Sequence, residues 1–298
     1  MAFKRIGLSS WSSGQKSTFD FSKIINWLCE KNIDVILDET FSNVSGSLTT
    51  VPREEIGKKT DLLIVFGGDG SILRAVHELS NEEPLILGVN TGHLGFLADI
   101  PIFELLPALE RILLKDEYVV ESRMRLSTSV FKESKEQKIH DALNDLVLTA
   151  GPVAHMIETE ISVNGNQMGN FRSDGLIIAT PTGSTAYSLS AGGPLIIPDM
   201  DVMVINLICP HTLSNRPIVV SADSEIEVIF SCREGQSKEN ALLSLDGFPG
   251  IGLESGSKIR VIKSPHGIKM VRPKGANFFN TLRDKLNWET DPRKNSQR

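Results

Sequence analysis

Leu62 to Leu73 reads Leu-Leu-Ile-Val-Phe-Gly-Gly-Asp-Gly-Ser-Ile-Leu, and this stretch decides the fold. Its apolar first part, Leu62 to Phe66, is typical of a buried strand. Gly67-Gly68 follows, where the chain can turn with a positive φ at no steric cost. A helical pattern then begins at Ser71. The stretch therefore predicts a strand, a glycine turn and the N-terminus of a helix.

The glycine turn carries one charged residue, Asp69. Backbone N–H groups and the positive end of a helix dipole would face the same spot, as in anion sites. A carboxylate there would repel a phosphate, so Asp69 is better suited to take a proton from a hydroxyl or to hold a divalent cation beside a phosphate. A plain turn with Asp69 as the helix N-cap remains the alternative.

Composition narrows the function classes. The chain has 298 residues, 40% of them hydrophobic and 23% charged, and a formal net charge of −6. Such a composition is typical of a globular protein and gives no global attraction to nucleic acid or to an anionic membrane. The three cysteines are scattered, which fits a reduced compartment. Neither a signal peptide nor an apolar run of about 20 residues is present. We expect a cytoplasmic protein with no nucleic-acid or membrane partner.

The first third alternates between strand and helix patterns, which predicts an α/β domain with a parallel sheet. Ligands of such sheets bind at the carboxyl ends of the strands, where the Asp69 turn and a second glycine loop, Asn90 to Leu97, would both lie. Asp38 to Lys59 is predicted as an excursion that contains a loop, and Pro107 is expected to kink its helix. The other predicted elements are strands Phe3 to Leu8, Asp34 to Leu37 and Leu85 to Val89, and helices Asp20 to Lys31 and Pro101 to Leu114.

From about Tyr118 the apolar pattern changes to period 2, which predicts an all-β domain. The expected domains are 1–120, 121–267 and a C-terminal segment, 268–298, that packs back on the first. Phe278, Leu282 and Leu286 recur every four residues in that segment and predict an amphipathic helix over Asn277 to Trp288. The predicted strands of the β-rich part are Arg125 to Lys132, His140 to Leu148, Thr159 to Val163, Gly175 to Ala179, Val202 to Ile208, Pro217 to Val220, Glu225 to Phe230, Ala241 to Leu245 and Lys258 to Ile262.

Two polar stretches stand out in the β-rich part. Asn144-Asp145 is set in an apolar run, where an amide and a carboxylate are costly unless they find partners. The pair suits ribose hydroxyls, although a β-bulge or an edge pair bonded to the backbone is the alternative. Thr180 to Ser190 is rich in Ser and Thr hydroxyls, and a helix starting near Ser184 would point its N-terminus and hydroxyls at a ligand.

Taken together, these motifs resemble the NAD kinase family. The resemblance is carried by Gly67-Gly68-Asp69-Gly70, the Asn90–Leu97 loop, Asn144-Asp145 and the run Asp174 to Pro194, in that order along the chain. It implies transfer of the ATP γ-phosphoryl group to the 2′-hydroxyl of the adenosine ribose of NAD, giving NADP. It also implies an α/β N-terminal domain, a sandwich-like β domain, a divalent cation (Mg²⁺) and a homodimer or homotetramer.

The resemblance assigns roles to individual residues. It makes Asp69 the general base. In Asp145 this chain has the shorter acid where the family often has Glu, and Phe248 stands where some bacterial members carry Gln. The residues that it places on nucleotide or NAD are Gly70, Arg74, Asn144, Asp145, His155, Arg172, Asp174, Thr185, Ala186, Tyr187 and Ser190.

Two other functions share part of this pattern. Lipid kinases of the diacylglycerol or sphingosine type also carry Gly-Gly-Asp-Gly, but they need an apolar acyl-chain pocket, which the hydroxyl-rich Thr180–Ser190 segment disfavours. A non-catalytic NAD-binding regulatory module would keep the dinucleotide residues and lose the base, yet Asp69 is present.

Overall fold

A computed structural model describes residues 3–10, 19–43, 46–79, 84–132, 135–150, 156–231 and 239–286. The chain forms two compact units. The first combines Met1–Ser122 with Ile268–Arg298, and the second is Arg123–Gly267. The finer domain bounds 1–120, 121–267 and 268–298 remain a prediction.

The N-terminal part of the first unit is built on a mostly parallel sheet. The central strand, Leu62–Gly67, is buried along its whole length, and Phe66 packs in a ring cluster with Phe21 and Phe41. A strand buried on both faces reads as a continuous apolar run, which is why sequence located it. The strands are β1 (Arg5–Ser10), β2 (Asp34–Asp38), β3 (Thr49–Val51), β4 (Leu62–Gly67), β5 (Leu85–Asn90), β6 (Ile100–Pro101) and β7 (Tyr118–Arg123).

In the part of the chain that the structure describes, four α-helices connect these strands. They are α1 (Ser22–Glu30), α2 (Arg53–Lys59), α3 (Asp69–Leu79) and α4 (Leu105–Leu109), and 3₁₀ turns cover Glu39–Phe41 and Ile102–Glu104.

The stretch predicted as an excursion with a loop also contains β3 and α2, two elements that the sequence analysis did not predict. β3 has only three residues, and α2 buries only Ile56 and Gly57. Neither element is long enough to show an apolar period. The signals that were available are local: Pro52 precedes the helix, acidic residues stand in its first turn, and Lys58 and Lys59 stand in its last.

The helix predicted over Pro101 to Leu114 is divided into shorter pieces, and the kink at Pro107 stays a prediction. Pro107 is the third residue of α4, within the first turn, where a backbone N–H has no partner inside the helix and its loss costs little. The regular helix ends instead at Leu109 and continues as a π-helical turn over Glu110–Leu114.

The second unit consists of two six-stranded antiparallel sheets, in the orders β15-β14-β13-β10-β17-β18 and β12-β11-β16-β19-β8-β9. It also contains the one-turn helix α5 (Tyr187–Ser190). Its strands are β8 (Leu126–Lys132), β9 (Lys135–Lys138), β10 (Asp145–Ala150), β11 (Ile157–Val163), β12 (Asn166–Ser173), β13 (Gly175–Ala179), β14 (Val202–Ile208), β15 (Ile218–Ser221), β16 (Ile226–Ser231), β17 (Glu239–Leu245), β18 (Ile251–Glu254) and β19 (Lys258–Lys263).

Apolar side chains from both sheets share one core, with Leu146 and Ile178 from one sheet and Val228 and Ile259 from the other. The other face of the first sheet buries a smaller cluster that includes Ile177 and Ile196. The sandwich and the parallel sheet confirm the predicted fold class.

The chain then returns to the first unit. β20 (Ile268–Pro273) lies between β5 and β7 and completes the sheet order β3-β2-β1-β4-β5-β20-β7, with β6 paired to β5. α6 (Phe278–Leu286) follows, with Leu282 buried and the Phe278 ring 6.1 Å from that of Phe96. Trp288, the last residue of the predicted helix, lies outside the described residues.

Candidate functional site

The glycine turn after β4 has the conformation that its sequence predicts. Gly67 has a φ of +146°, and a Cβ there would lie 2.0 Å from Ser71 Oγ, so glycine is required. Gly68 and Gly70 are exposed, and a Cβ on either would meet nothing within 4 Å. Their backbone is therefore accessible to a ligand at the start of α3.

Asp69, the first residue of α3, is bound to the second glycine loop. Its Oδ2 accepts a hydrogen bond from the N–H of Phe96 (2.9 Å), and its Oδ1 accepts from Leu97 (2.9 Å) and Ala98 (3.1 Å). A Cβ on Gly95 would lie 2.0 Å from Oδ1, so a glycine is needed for this close approach. The two loops that sequence analysis placed on one rim are thus joined through the Asp69 carboxylate.

Asn90 shapes the loop that holds Asp69. This side chain is buried at the end of β5, and its amide donates to the carbonyl groups of His93 and Ala98 while its Oδ1 accepts from the N–H of Gly92 at 2.6 Å. These bonds fold the loop back on itself. They turn the N–H groups after Gly95 toward Asp69, so Asn90 acts on the site through the backbone.

A cation completes the surroundings of Asp69. Lys285 Nζ of α6 lies 3.1 Å from Asp69 Oδ2 and 4.4 Å from the centre of the Phe96 ring. Burial tends to raise the pKa of Asp69, but the N–H groups of Phe96 and Leu97, the Lys285 charge and the N–H of Ala98 outweigh it and hold the pKa below its ordinary value. Asp69 is therefore ionised at neutral pH. Sequence analysis missed Lys285, which carries no motif.

The second unit holds a different polar cluster around Asn144 and Asp145. Asp145 begins β10 and is buried, whereas Asn144 precedes the strand and is half-buried, so the pair is not inside a strand as predicted. The backbone N–H groups of Leu143 (2.8 Å), Asn144 (2.6 Å) and Asp145 (3.2 Å) all donate to the carboxylate of Asp246. Asp246 therefore fixes the backbone that presents the pair.

Asp246 is a second residue that sequence analysis missed. It follows β17 with a φ of +52°, and Gly247 continues the turn at +73°. The Asp-Gly dipeptide between two apolar runs was a signal for this tight turn. Its role as an acceptor for residues about a hundred positions away carried no signal, because it depends on the pairing of β10 with β17.

Two buried carboxyl groups now stand side by side. Burial, and then the charge of Asp246, raise the pKa of Asp145 to about 7. The pKa of Asp246 is raised by burial as well, but the N–H groups of Leu143, Asn144 and Asp145 and the nearby Arg125 guanidinium oppose the rise. Two carboxyl groups so close together hold one proton between them more readily than none. Among the described residues none donates to the Asp145 carboxyl, so we assign that proton to Asp145 and the negative charge to Asp246.

This assignment predicts a pH dependence of stability. The pKa of Asp145 is higher in the folded chain than its ordinary 3.8, so the folded chain holds the proton more tightly, and stability is lost as the pH rises from about 4 to about 7. At about 1.4 kcal/mol for each pH unit, the full loss is about 4 kcal/mol. Asp145→Asn should therefore raise the melting temperature at pH 8 and change it little at pH 4. An equal effect at both values would contradict the assignment.

The hydroxyl-rich segment departs from its prediction. Instead of a helix from Ser184, it forms a 3₁₀ turn over Gly183–Thr185 and then the single turn α5. The Thr180 hydroxyl donates to the carbonyl of Leu143 (2.6 Å) and accepts from the N–H of Gly183 (3.0 Å), while Ser184 Oγ bonds to Pro181 O (2.7 Å) and Ile196 N (3.0 Å). These buried hydroxyls hold the segment in place and do not face a ligand.

The segment still supports the Asn144–Asp145 pair. A Cβ on Gly183 would lie 2.0 Å from the carbonyl oxygen of Asn144, so the turn lies directly against that backbone. Thr185 and Ala186 are half-buried, whereas Ser190 is exposed and the Tyr187 side chain is 46% exposed. These four predicted residues thus have surface open to contact.

The other predicted site residues are less closely tied to either cluster. Arg74 is exposed on α3, and Asp174 is exposed between β12 and β13. Arg172 pairs with Glu158 (3.3 Å) across two neighbouring strands. His155 lies outside the described residues.

The described residues offer no ready-made site for the expected divalent cation. Within the described ranges, no group of three or more His, Cys, Asp or Glu side chains could hold a metal ion. Mg²⁺ is often bound by one or two carboxylates together with substrate phosphates, so a site would need the nucleotide. In the same ranges, no helix is long and apolar enough to cross a membrane.

The sequence is similar to known families over most of its length. Residues 15–118 match the ATP-NAD kinase N-terminal domain, and residues 143–273 match the ATP-NAD kinase C-terminal domain. The chain is 39% identical to an NAD kinase of Geotalea daltonii over 266 residues, which cover 89% of this chain and 92% of that one. It is 40% identical to an NAD kinase of Magnetococcus marinus over 287 residues, covering 95% and 93%.

Two solved structures are similar as well. A yeast NADH kinase complexed with NADH superimposes with a TM-score of 0.87 at 27% identity and covers 97% of this chain and 89% of its own. An NAD kinase from Archaeoglobus fulgidus in complex with ATP superimposes with a TM-score of 0.74 at 28% identity, covering 95% and 98%.

Proposed function

Since the chain belongs to the ATP-NAD kinase family and phosphorylates NAD to NADP with ATP, we propose that the acceptor is the 2′-hydroxyl of the adenosine ribose and that Asp69 takes its proton. The observation that carries this proposal is the Asp69 carboxylate itself. It is held by three backbone N–H groups beside an exposed glycine backbone, and its lowered pKa keeps it ionised at neutral pH.

Phosphoryl transfer asks a protein mainly to position groups and to neutralise charge. The ribose hydroxyl donates a hydrogen bond to Asp69, its oxygen attacks the γ-phosphorus, and the proton passes to the carboxylate as the bond to ADP breaks. The accessible backbone at Gly68 and Gly70, at the N-terminus of α3, is suited to phosphate oxygens. Arg74, one turn into α3, adds a cation near that end.

We propose that the cluster in the second unit binds NAD. Asn144 and Asp145 hold the adenosine ribose, with the pair kept in place by Asp246 and Gly183. The exposed Tyr187 ring offers a stacking surface. Arg172, Asp174, Thr185, Ala186 and Ser190 are proposed as further contacts, together with His155.

The remaining expectations are proposals that rest on the family resemblance. They are Mg²⁺ as the divalent cation, assembly into a homodimer or homotetramer, and a cytoplasmic location.

The two alternative functions, a lipid kinase and a non-catalytic regulatory module, are less well supported. The lipid-kinase alternative gains no support from the relatives named above, which are NAD or NADH kinases. A regulatory module without catalysis has no need of the ionised, partly exposed Asp69.

We expect purified protein with ATP, Mg²⁺ and NAD to form NADP, read with an NADP-specific dehydrogenase. A parallel reaction with diacylglycerol or sphingosine should give no phosphorylated lipid. Absence of NADP across a range of ATP and NAD concentrations would overturn the proposed function, and phosphorylated lipid would favour the rival.

A further inference from the structure

We propose that Lys285 is a further catalytic residue: it gives up its place on Asp69 to the acceptor hydroxyl and then neutralises the phosphoryl group in transfer. The inference rests on the proposed function. It concerns a contact between α6 and α3, two helices of the same unit, 216 positions apart in sequence.

The Asp69 carboxylate accepts four hydrogen bonds from the described residues. A carboxylate offers about four lone-pair sites, two on each oxygen. Leu97 and Ala98 donate to Oδ1, and Phe96 and Lys285 donate to Oδ2. Three of these donors are backbone groups of one folded loop and cannot leave without unfolding it. The place that a substrate hydroxyl can take is the one held by Lys285.

The ammonium group of Lys285, once displaced by the hydroxyl, stays near the site. The Lys285 side chain is 32% exposed and flexible, and the face of Phe96 keeps its charge nearby, with Nζ 4.4 Å from the ring centre. The attacking oxygen must lie about 3 Å from Asp69 and about 3–3.5 Å from phosphorus. An ammonium group that now lies 3.1 Å from the same carboxylate oxygen reaches the phosphoryl oxygens by rotation of its side chain alone.

The step balances without any further reactant. The ribose O–H bond breaks and its proton goes to Asp69 Oδ2, while the new O–P bond forms. The bond from the γ-phosphorus to the bridging oxygen breaks, and ADP leaves with that electron pair. Lys285 stays protonated throughout and exchanges one anionic partner for another.

A second cation near the loop, Arg272, is already paired. It lies 2.5 Å from Asp99 and 3.6 Å from Glu121. Among the described residues, Lys285 is the cation whose charge lowers the pKa of Asp69.

The test uses the full-length protein and three variants. Lys285→Met keeps the length and the packing on Phe96 but removes the charge, and Lys285→Arg keeps the charge. Arg283→Met is the matched control, because Arg283 is an exposed cation of the same helix that bonds to the side chain of Asn280. Steady-state kinetics of NADP formation, pH profiles and melting curves are measured for each.

We expect Lys285→Met to lower kcat about 10- to 100-fold with the KM for NAD within about threefold, Lys285→Arg to recover most of the loss, and Arg283→Met to match wild type. The acid limb of kcat/KM should move to higher pH in Lys285→Met, because Asp69 loses a charge that lowers its pKa. A purely structural role for Lys285 would lower the melting temperature and leave kcat at the wild-type value.

Three outcomes would overturn the proposal: an unchanged kcat in Lys285→Met, a raised kcat, which would make the contact inhibitory, or an unmoved acid limb. Wild-type protein in the same assay separates this failure from that of the proposed function. If wild type forms NADP while the variant equals it, only the role of Lys285 falls.

Discussion

Asp69→Asn should form NADP at least about 10²-fold more slowly than wild type while still binding NAD, because an amide cannot accept the hydroxyl proton. The substitution also has a structural cost. In Asn, an N–H₂ group replaces one of the two carboxylate oxygens. That group then faces either the N–H groups of Leu97 and Ala98 or the N–H group of Phe96, which now donate to Asp69. We expect a loss of about 1–3 kcal/mol in stability beside the loss of turnover.

Asp61→Asn is the control that separates the two effects. Asp61 lies at the other end of β4, and its carboxylate accepts from the backbone N–H groups of Lys4 (3.1 Å) and Arg5 (3.0 Å) and from the Arg5 guanidinium (2.7 Å). Asp61→Asn weakens hydrogen bonds from backbone N–H groups, as Asp69→Asn does, but at a position away from the glycine turn. Asp61→Asn should therefore have a lower melting temperature and the wild-type turnover rate. Turnover of Asp69→Asn within about threefold of wild type would remove Asp69 from the chemistry.

Asp145→Ala should raise the dissociation constant for NAD about ten- to a hundredfold and leave that for ATP nearly unchanged. A carboxylate can accept from two vicinal ribose hydroxyls, and hydrogen bonds to a charged acceptor are worth about 1.5–3 kcal/mol each. At about 1.4 kcal/mol for each factor of ten, the net loss of one such bond corresponds to the expected ten- to hundredfold change. Titration calorimetry with each nucleotide measures it, and wild-type affinity for NAD in this variant would show that the pair is only a feature of the strand.

The raised pKa of Asp145 adds a second signature. With a pKa of about 7, Asp145 is mostly protonated in the free protein below that pH, and a proton must leave before the carboxylate can accept from the ribose. NAD affinity of wild type should thus weaken as the pH falls below about 7, whereas Asp145→Asn should show a flatter dependence. Asp145→Glu tests the space, since the buried site lies against Asp246 and an extra methylene should weaken binding.

Local features could be predicted from sequence because their causes lie within a few residues. The glycine turn was predicted because Gly67 needs a positive φ, which few other residues adopt. The predicted bounds of β13 and β14 agree with the structure, since both are short apolar runs between polar breaks. Elements with little apolar content, such as β3 and α2, had no period to detect.

The family and its reaction could also be predicted from the sequence. The Gly-Gly-Asp-Gly turn, the Asn144-Asp145 pair and the run after Asp174 carry residue types whose spacing is set by a short loop or a single strand. The structure adds a reason for each. Gly95 makes room for the Asp69 carboxylate, and Gly183 makes room for the backbone of Asn144.

The partners of those residues, by contrast, were decided only by the tertiary structure. Lys285 reaches Asp69 because β20 carries the chain back to the first unit and α6 follows it. Asp246 reaches the backbone of Asn144 because β17 pairs with β10. Both contacts join residues about a hundred or more positions apart, so their existence depends on strand order and not on local spacing. Sequence by itself identified the family and led to the proposal that Asp69 is the base. The donors that set the charge of Asp69, and the acceptor that holds Asn144 and Asp145, follow only from how the sheets are assembled.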